Sequence, residues 1–172
     1  MRRSWLPGVL LLAACGGSEP APFRVEVATG GASAGWLQDP TLARRTLAAA
    51  RTAATQWGGA DLDGWTVRYV GDIAACGAEP PDAATMGCTH QDERIIELKV
   101  SATSPCVEGT ALLHEIGHVA LPGDPDHADP RWSSGEFWYA LLGAMQDGIG
   151  ASDPSCAKAI AAWRLWWRGK PD

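Results

Sequence analysis

In the second half of the chain runs the pentapeptide His114-Glu115-Ile116-Gly117-His118. Residues four apart on a helix share a face, so both imidazoles would project from one side, one turn apart. Two imidazoles so placed can give two ligands to a tetrahedral zinc ion, whose remaining position stays open to water in a hydrolytic site. Glu115 lies beside the pair. A carboxylate there can take a proton as water attacks a carbonyl and return it to the leaving amine. The flanks suit a buried helix: Leu112, Leu113, Ile116 and Val119 make an apolar surface, and Gly117 lets another backbone come close. Three of the chain's four histidines fall between positions 114 and 127. The fourth, His90, is isolated and reads as a surface loop residue. This pattern predicts zinc-dependent hydrolysis of peptide bonds, with Glu115 as general base and then general acid.

Downstream the chain continues Val119-Ala120-Leu121-Pro122-Gly123-Asp124-Pro125-Asp126-His127. The segment resembles the metzincin clan of zinc peptidases, whose motif is His-Glu-x-x-His-x-x-Gly-x-x-His. Leu121 stands where that motif has its glycine, Gly123 follows two residues later, and His127 comes three residues late. Pro122 and Gly123 supply a chain reversal that would bring His127 round to the metal. The expected ligand set is therefore His114, His118 and His127, with Zn2+ as the cofactor. Two other donors stay open for the third position. Asp124 has the spacing of the clan's third histidine, and Glu136 could act from the next helix, as in the gluzincin clan. The resemblance also implies a methionine turn beneath the metal, for which Met145 is the remaining candidate unless it is a helical core residue. Tyr139 could assist an oxyanion as tyrosines do in some relatives, or simply pack. The competing class is a lipoprotein that keeps a zincin fold and binds a partner without cleaving it.

The elements that must position these residues follow from periodicity. Phe23 to Val27 alternates apolar and charged residues as a half-buried strand does. Asp39-Pro40 marks a helix start, and Leu42, Thr46, Leu47, Ala50, Ala53, Ala54 and Trp57 recur at helical spacing before Gly58-Gly59. Trp65 to Val70 and Arg94 to Val100 read as further strands, and residues 71–90 as loop. Ser104-Pro105 opens a helix to about Ala120, stopped by Leu121-Pro122-Gly123. Residues 122–135 are turn-rich. Ser134 could cap another helix, and a last one should run from Asp153 or Pro154 to about Trp167, with Trp163, Trp166 and Trp167 near one side. The expected class is α+β, zincin-like: a small mixed sheet, a long backing helix, an active-site helix and a helical C-terminal part.

The first residues read as an address rather than as fold. Arg2 and Arg3 precede the apolar stretch Trp5 to Ala14, which is too short to span a bilayer. Leu12-Ala13-Ala14-Cys15-Gly16 resembles the lipobox of bacterial lipoproteins. That resemblance implies a signal peptide over 1–14 and acylation of Cys15. The same resemblance implies a place in the bacterial cell envelope, on the outer membrane or extracellular face, since Gly16 is not acidic. The Gly, Ser and Pro that follow read as a tether over 15–22. With no internal repeat or second hydrophobic span, residues 23–172 read as a single domain, the expected peptidase. Four cysteines remain, an even number that fits disulfides outside the cytosol. Cys76–Cys88 would close a Gly/Pro-rich loop, and Cys106–Cys156 would tie two helices. The composition, 46% apolar and 20% charged, is that of a globular protein. A formal net charge of -6 gives no basic face for nucleic acid, so no nucleic-acid partner is expected. The partners expected are a peptide or protein substrate and a membrane reached through the Cys15 lipid.

Overall fold

A computed structural model describes residues 22–29, 35–77, 81, 85–100, 105–138 and 161. Four short strands, β1 (Arg24–Ala28), β2 (Thr66–Val70), β3 (Gly87–His90) and β4 (Ile95–Lys99), form one sheet in the order β1-β2-β4-β3. β1, β2 and β4 run parallel, and β3 closes one edge antiparallel to β4. Two helices are described over their length, α1 (Leu42–Gln56) and α2 (Pro105–Ala120). The architecture is mixed α+β with a small mixed sheet. No helix among the described residues is long and apolar enough to cross a membrane.

Alternation decides which face of the sheet meets the helices. Val67 and Tyr69 of β2 and Ile96 and Leu98 of β4 are buried, and they join Ala49, Ala50, Ala53 and Ala54 of α1 with Leu112, Leu113 and Ile116 of α2 in one core. The small side chains of α1 let it approach closely. Its buried Thr46 shares a hydrogen bond with the Tyr69 hydroxyl at 2.8 Å, which satisfies both polar groups inside the core. On the opposite face, Glu26, Arg68 and Glu97 stand in register across three strands. Arg68 reaches Glu26 at 3.1 Å and Glu97 at 3.6 Å.

Helix ends form where the residue types demand them. Asp39 lies just ahead of α1 and accepts from the Thr41 backbone N–H and hydroxyl and from Arg45, each at 2.8 Å. Gly58 and Gly59 take φ of 102° and 97° after Trp57, backbone that a side chain resists. The helix expected from Ser134 begins as expected: the Ser134 hydroxyl accepts from the Phe137 N–H, and residues 135–138 are helical.

Two sequence expectations are corrected. Residues 71–90 are not all loop, because Gly87–His90 is the edge strand β3. Gly-Cys-Thr-His carries no apolar alternation, and its strand state comes from pairing with β4. His90 accordingly lies half-buried on that strand, 3.5 Å from Glu97. The expected Cys76–Cys88 disulfide is present. The expected Cys106–Cys156 pairing, Tyr139, Met145 and the helix expected over the last tryptophans fall outside the described side chains, as does the expected N-terminal signal segment.

Candidate metal centre

α2 brings His114 and His118 to one side of its last turns, as their spacing requires. Their Nε2 atoms are 3.3 Å apart. After α2 the chain reverses through Leu121 to His127, and the His127 N–H approaches the Asp124 carbonyl at 3.4 Å. His127 adopts a φ of 58°, a left-handed conformation that turns its ring back toward the helix. Its Nε2 stands 3.2 Å from that of His114 and 3.2 Å from that of His118. The three ring nitrogens form a nearly equilateral triangle.

Protons alone cannot satisfy such a triangle. Each Nε2 of a neutral imidazole is either a donor or an acceptor, never both. With three atoms and two roles, at least one pair must face like to like. A cation in the centre accepts all three lone pairs at once. Zinc–nitrogen bonds of about 2.0–2.1 Å at tetrahedral angles put ligand nitrogens about 3.3–3.4 Å apart, and the observed edges are 3.2–3.3 Å. Among the described residues, His114, His118 and His127 are the group able to hold a metal ion.

The two rival donors stand outside this group. The Asp124 carboxylate accepts from the Ala128 N–H at 2.6 Å, the Asp129 N–H at 2.8 Å and the Trp132 indole N–H at 2.9 Å. Its task is to shape the loop that carries His127. Glu136 is exposed in the helical turn after Ser134 and is not part of the group.

Burial sets the protonation states. Desolvation, then the neighbouring imidazoles, brings the His114 pKa down to about 4. Desolvation and His127 bring His118 down to about 4 against a small opposing pull from Asp124. Both rings are therefore neutral at pH 7, the state a metal requires. Glu115 is 5% exposed. Desolvation pushes its pKa up to about 7, opposed by a hydrogen bond from the Thr89 hydroxyl at 2.8 Å.

The surroundings of Glu115 come from β3, the element not read from sequence. Gly87 and Thr89 lie opposite Leu98 and Ile96 and so share the helix-facing side of the sheet. Thr89 grips Glu115 twice, at its carboxylate and at its backbone carbonyl, the latter at 3.1 Å. A Cβ on Gly87 would come within 2.5 Å of Glu115 Oε1. Gln91 donates to the His118 carbonyl at 2.7 Å and ties the turn after β3 to the end of α2. These groups, the Cys76 half-cystine, Leu121, Pro122 and Pro125 border a cleft of about 380 Å³ that contains His114, Glu115, His118 and His127. Gly117 does make room for a close neighbour, but the neighbours are rings: an added Cβ would meet Trp132 at 2.5 Å and Trp57 at 2.6 Å. In the sequence Trp132 is only one of nine tryptophans suited to core or cleft walls; it lies two residues past Pro130, which starts a 3₁₀ turn capped by Asp129.

No protein-family model, curated protein or solved structure matches this chain.

Proposed function

We propose that the chain is a zinc-dependent peptide hydrolase of metzincin-like design, with His114, His118 and His127 as ligands and Glu115 as the general base and acid. The observation that carries this reading is the triangle of Nε2 atoms, sized for a tetrahedral cation, with a buried carboxylate sharing its cleft. Zinc bound there would supply Lewis-acid polarisation of water and of a carbonyl oxygen. The chain's own contribution is placement and proton handling. α2 and the 121–127 turn hold three neutral imidazoles together, and β3 fixes Glu115 through Thr89. A carboxyl with a pKa near 7 is matched to accepting and returning a proton near neutral pH. A bound cation draws that value down, so the resting carboxylate is ionised and ready to act as base. Gly87 and Thr89 of β3 line the cleft beside Glu115.

The proposal includes export and anchoring through acylated Cys15. Support comes from Leu12-Ala13-Ala14-Cys15 and from the Cys76–Cys88 disulfide, which belongs to an oxidising compartment.

The test is a pair of measurements on purified protein. Elemental analysis should find near-stoichiometric zinc, and His127→Ala should lower that occupancy. Glu115→Gln should keep the zinc while kcat/KM on peptide substrates falls by about 10²–10⁴-fold. Protein without zinc affinity would end the reading. Full function in the Glu115→Gln protein would assign the fold to partner binding instead.

A further inference from the structure

The metal-site reading uses His114, Glu115, His118 and His127 and leaves Trp132 unexplained. This indole touches all three imidazoles, with ring centroids 4.9 Å from His114, 5.0 Å from His118 and 4.4 Å from His127. The ring therefore meets side chains from both the helix and the loop that form the triangle. Trp57 backs it at 4.4 Å, and Trp57 is itself anchored by an N–H bond of 3.0 Å to the Leu113 carbonyl, one residue before His114. Gly117 opens the helix surface to both rings. Both indoles thus pack on α2 at Gly117, and Trp132 is the one that also meets all three imidazoles.

His127 has the greatest need of such support. It is exposed and sits on a loop, whereas His114 and His118 are fixed by their helix. Its aromatic neighbours among the described residues are the other two histidines and Trp132. The bonding closes a circuit. Asp124 accepts from the backbone N–H groups of Ala128 and Asp129, immediately after His127, and the same carboxylate accepts the Trp132 indole N–H. One side chain thus sets both the loop that presents His127 and the ring on which His127 rests.

We propose that Trp132, locked by Asp124, is a positioning residue for the metal: it holds His127 over the two helical imidazoles and so fixes the coordination geometry. This inference rests on the reading of the three histidines as a metal centre. Supporting groups of this kind commonly change metal affinity by about 10–100-fold when removed.

The experiment is zinc competition against a chromogenic chelator on the full chain, with the visible spectrum of the cobalt-substituted protein and melting of the metal-free form. Trp132→Ala should weaken zinc by about 10–100-fold. Trp132→Phe keeps a ring but cuts the bond to Asp124. It should weaken zinc by about tenfold and alter the cobalt bands, with metal-free melting close to wild type, a combination that mere core packing would not produce. Asp124→Asn should shift affinity in the same direction. If Trp132→Ala proves unable to fold, Trp132→Phe decides. Wild-type zinc affinity and cobalt bands in Trp132→Phe overturn the inference while leaving the metal centre intact. A wild-type protein that binds neither zinc nor cobalt overturns the metal centre itself, and the inference with it.

Discussion

Glu115 is a carboxyl group with almost no access to solvent, held by one hydroxyl and walled by a glycine. Its position depends on what Gly87 lacks. A methyl group there would stand 2.5 Å from Oε1, 2.7 Å from Cγ and 2.9 Å from Cδ, all inside normal contact distance. Gly87 is paired in the sheet opposite Leu98, so its backbone has little freedom to retreat and the carboxylate must move instead. Gly87→Ala is therefore predicted to lower kcat/KM by about 10²-fold, the scale that a displacement of about 1 Å costs a reacting group. Zinc content should stay at the wild-type level, because the three imidazoles do not rest on Gly87. Steady-state kinetics with parallel metal analysis checks this. Wild-type turnover in Gly87→Ala would mean that the position of Glu115 against β3 has no bearing on the reaction.

β3 is the element on which this placement turns, and the Cys76–Cys88 disulfide fastens it. Cys88 lies between Gly87 and Thr89, the two residues that face Glu115. The bridge closes a short loop with a sequence separation of 12, for which restriction of the unfolded chain contributes about 3 kcal/mol. Replacing both cysteines by serine should lower unfolding free energy by about 2–3 kcal/mol and reduce peptide cleavage as β3 loosens. Urea denaturation and kinetics on the double variant test this together, and an unaltered unfolding midpoint would remove the bridge from any structural role. The same element marks the boundary of what was legible in the sequence. α2 could be read from its apolar flanks and its proline start, and β2 and β4 from their alternation. His127 was readable because the Pro-Gly turn before it had to go somewhere. β3 was not, since Gly-Cys-Thr-His has no periodicity and is a strand only because β4 offers an open edge. Trp132 was legible only as one of nine tryptophans suited to core or cleft walls; its place against the imidazoles arises from tertiary contacts with Trp57 and Gly117, which no local pattern encodes.

For the molecule as a whole, burial of the site ties folding to pH in two opposed ways. His114 and His118 fall from an ordinary 6.5 to about 4, so between those values the unfolded chain binds protons that the folded chain refuses. Stability is lost there as pH falls. Glu115 rises from 4.5 to about 7, so across that window the folded chain keeps a proton that the unfolded chain has released. Stability is lost there as pH rises. Where the windows overlap, two imidazoles outweigh one carboxyl and acid is the stronger threat. Near pH 7 the protons still bound by the unfolded imidazoles and the proton still held by folded Glu115 balance, and the slope levels off. From these groups the metal-free protein should show an acid limb and be nearly level from about pH 7 upward. Glu115→Gln removes the carboxyl that opposes the imidazoles, so its metal-free form should show a steeper acid limb than wild type. Zinc should steepen the acid limb in the wild type as well, because a cation favours the ionised carboxylate and because protons then compete with metal for the ring nitrogens. Urea midpoints between pH 4.5 and pH 8, with chelator and with zinc, distinguish these cases. Metal-free profiles of wild type and Glu115→Gln that run parallel above pH 6 would show that Glu115 carries no proton in the folded protein, and its burial would then need a partner other than Thr89.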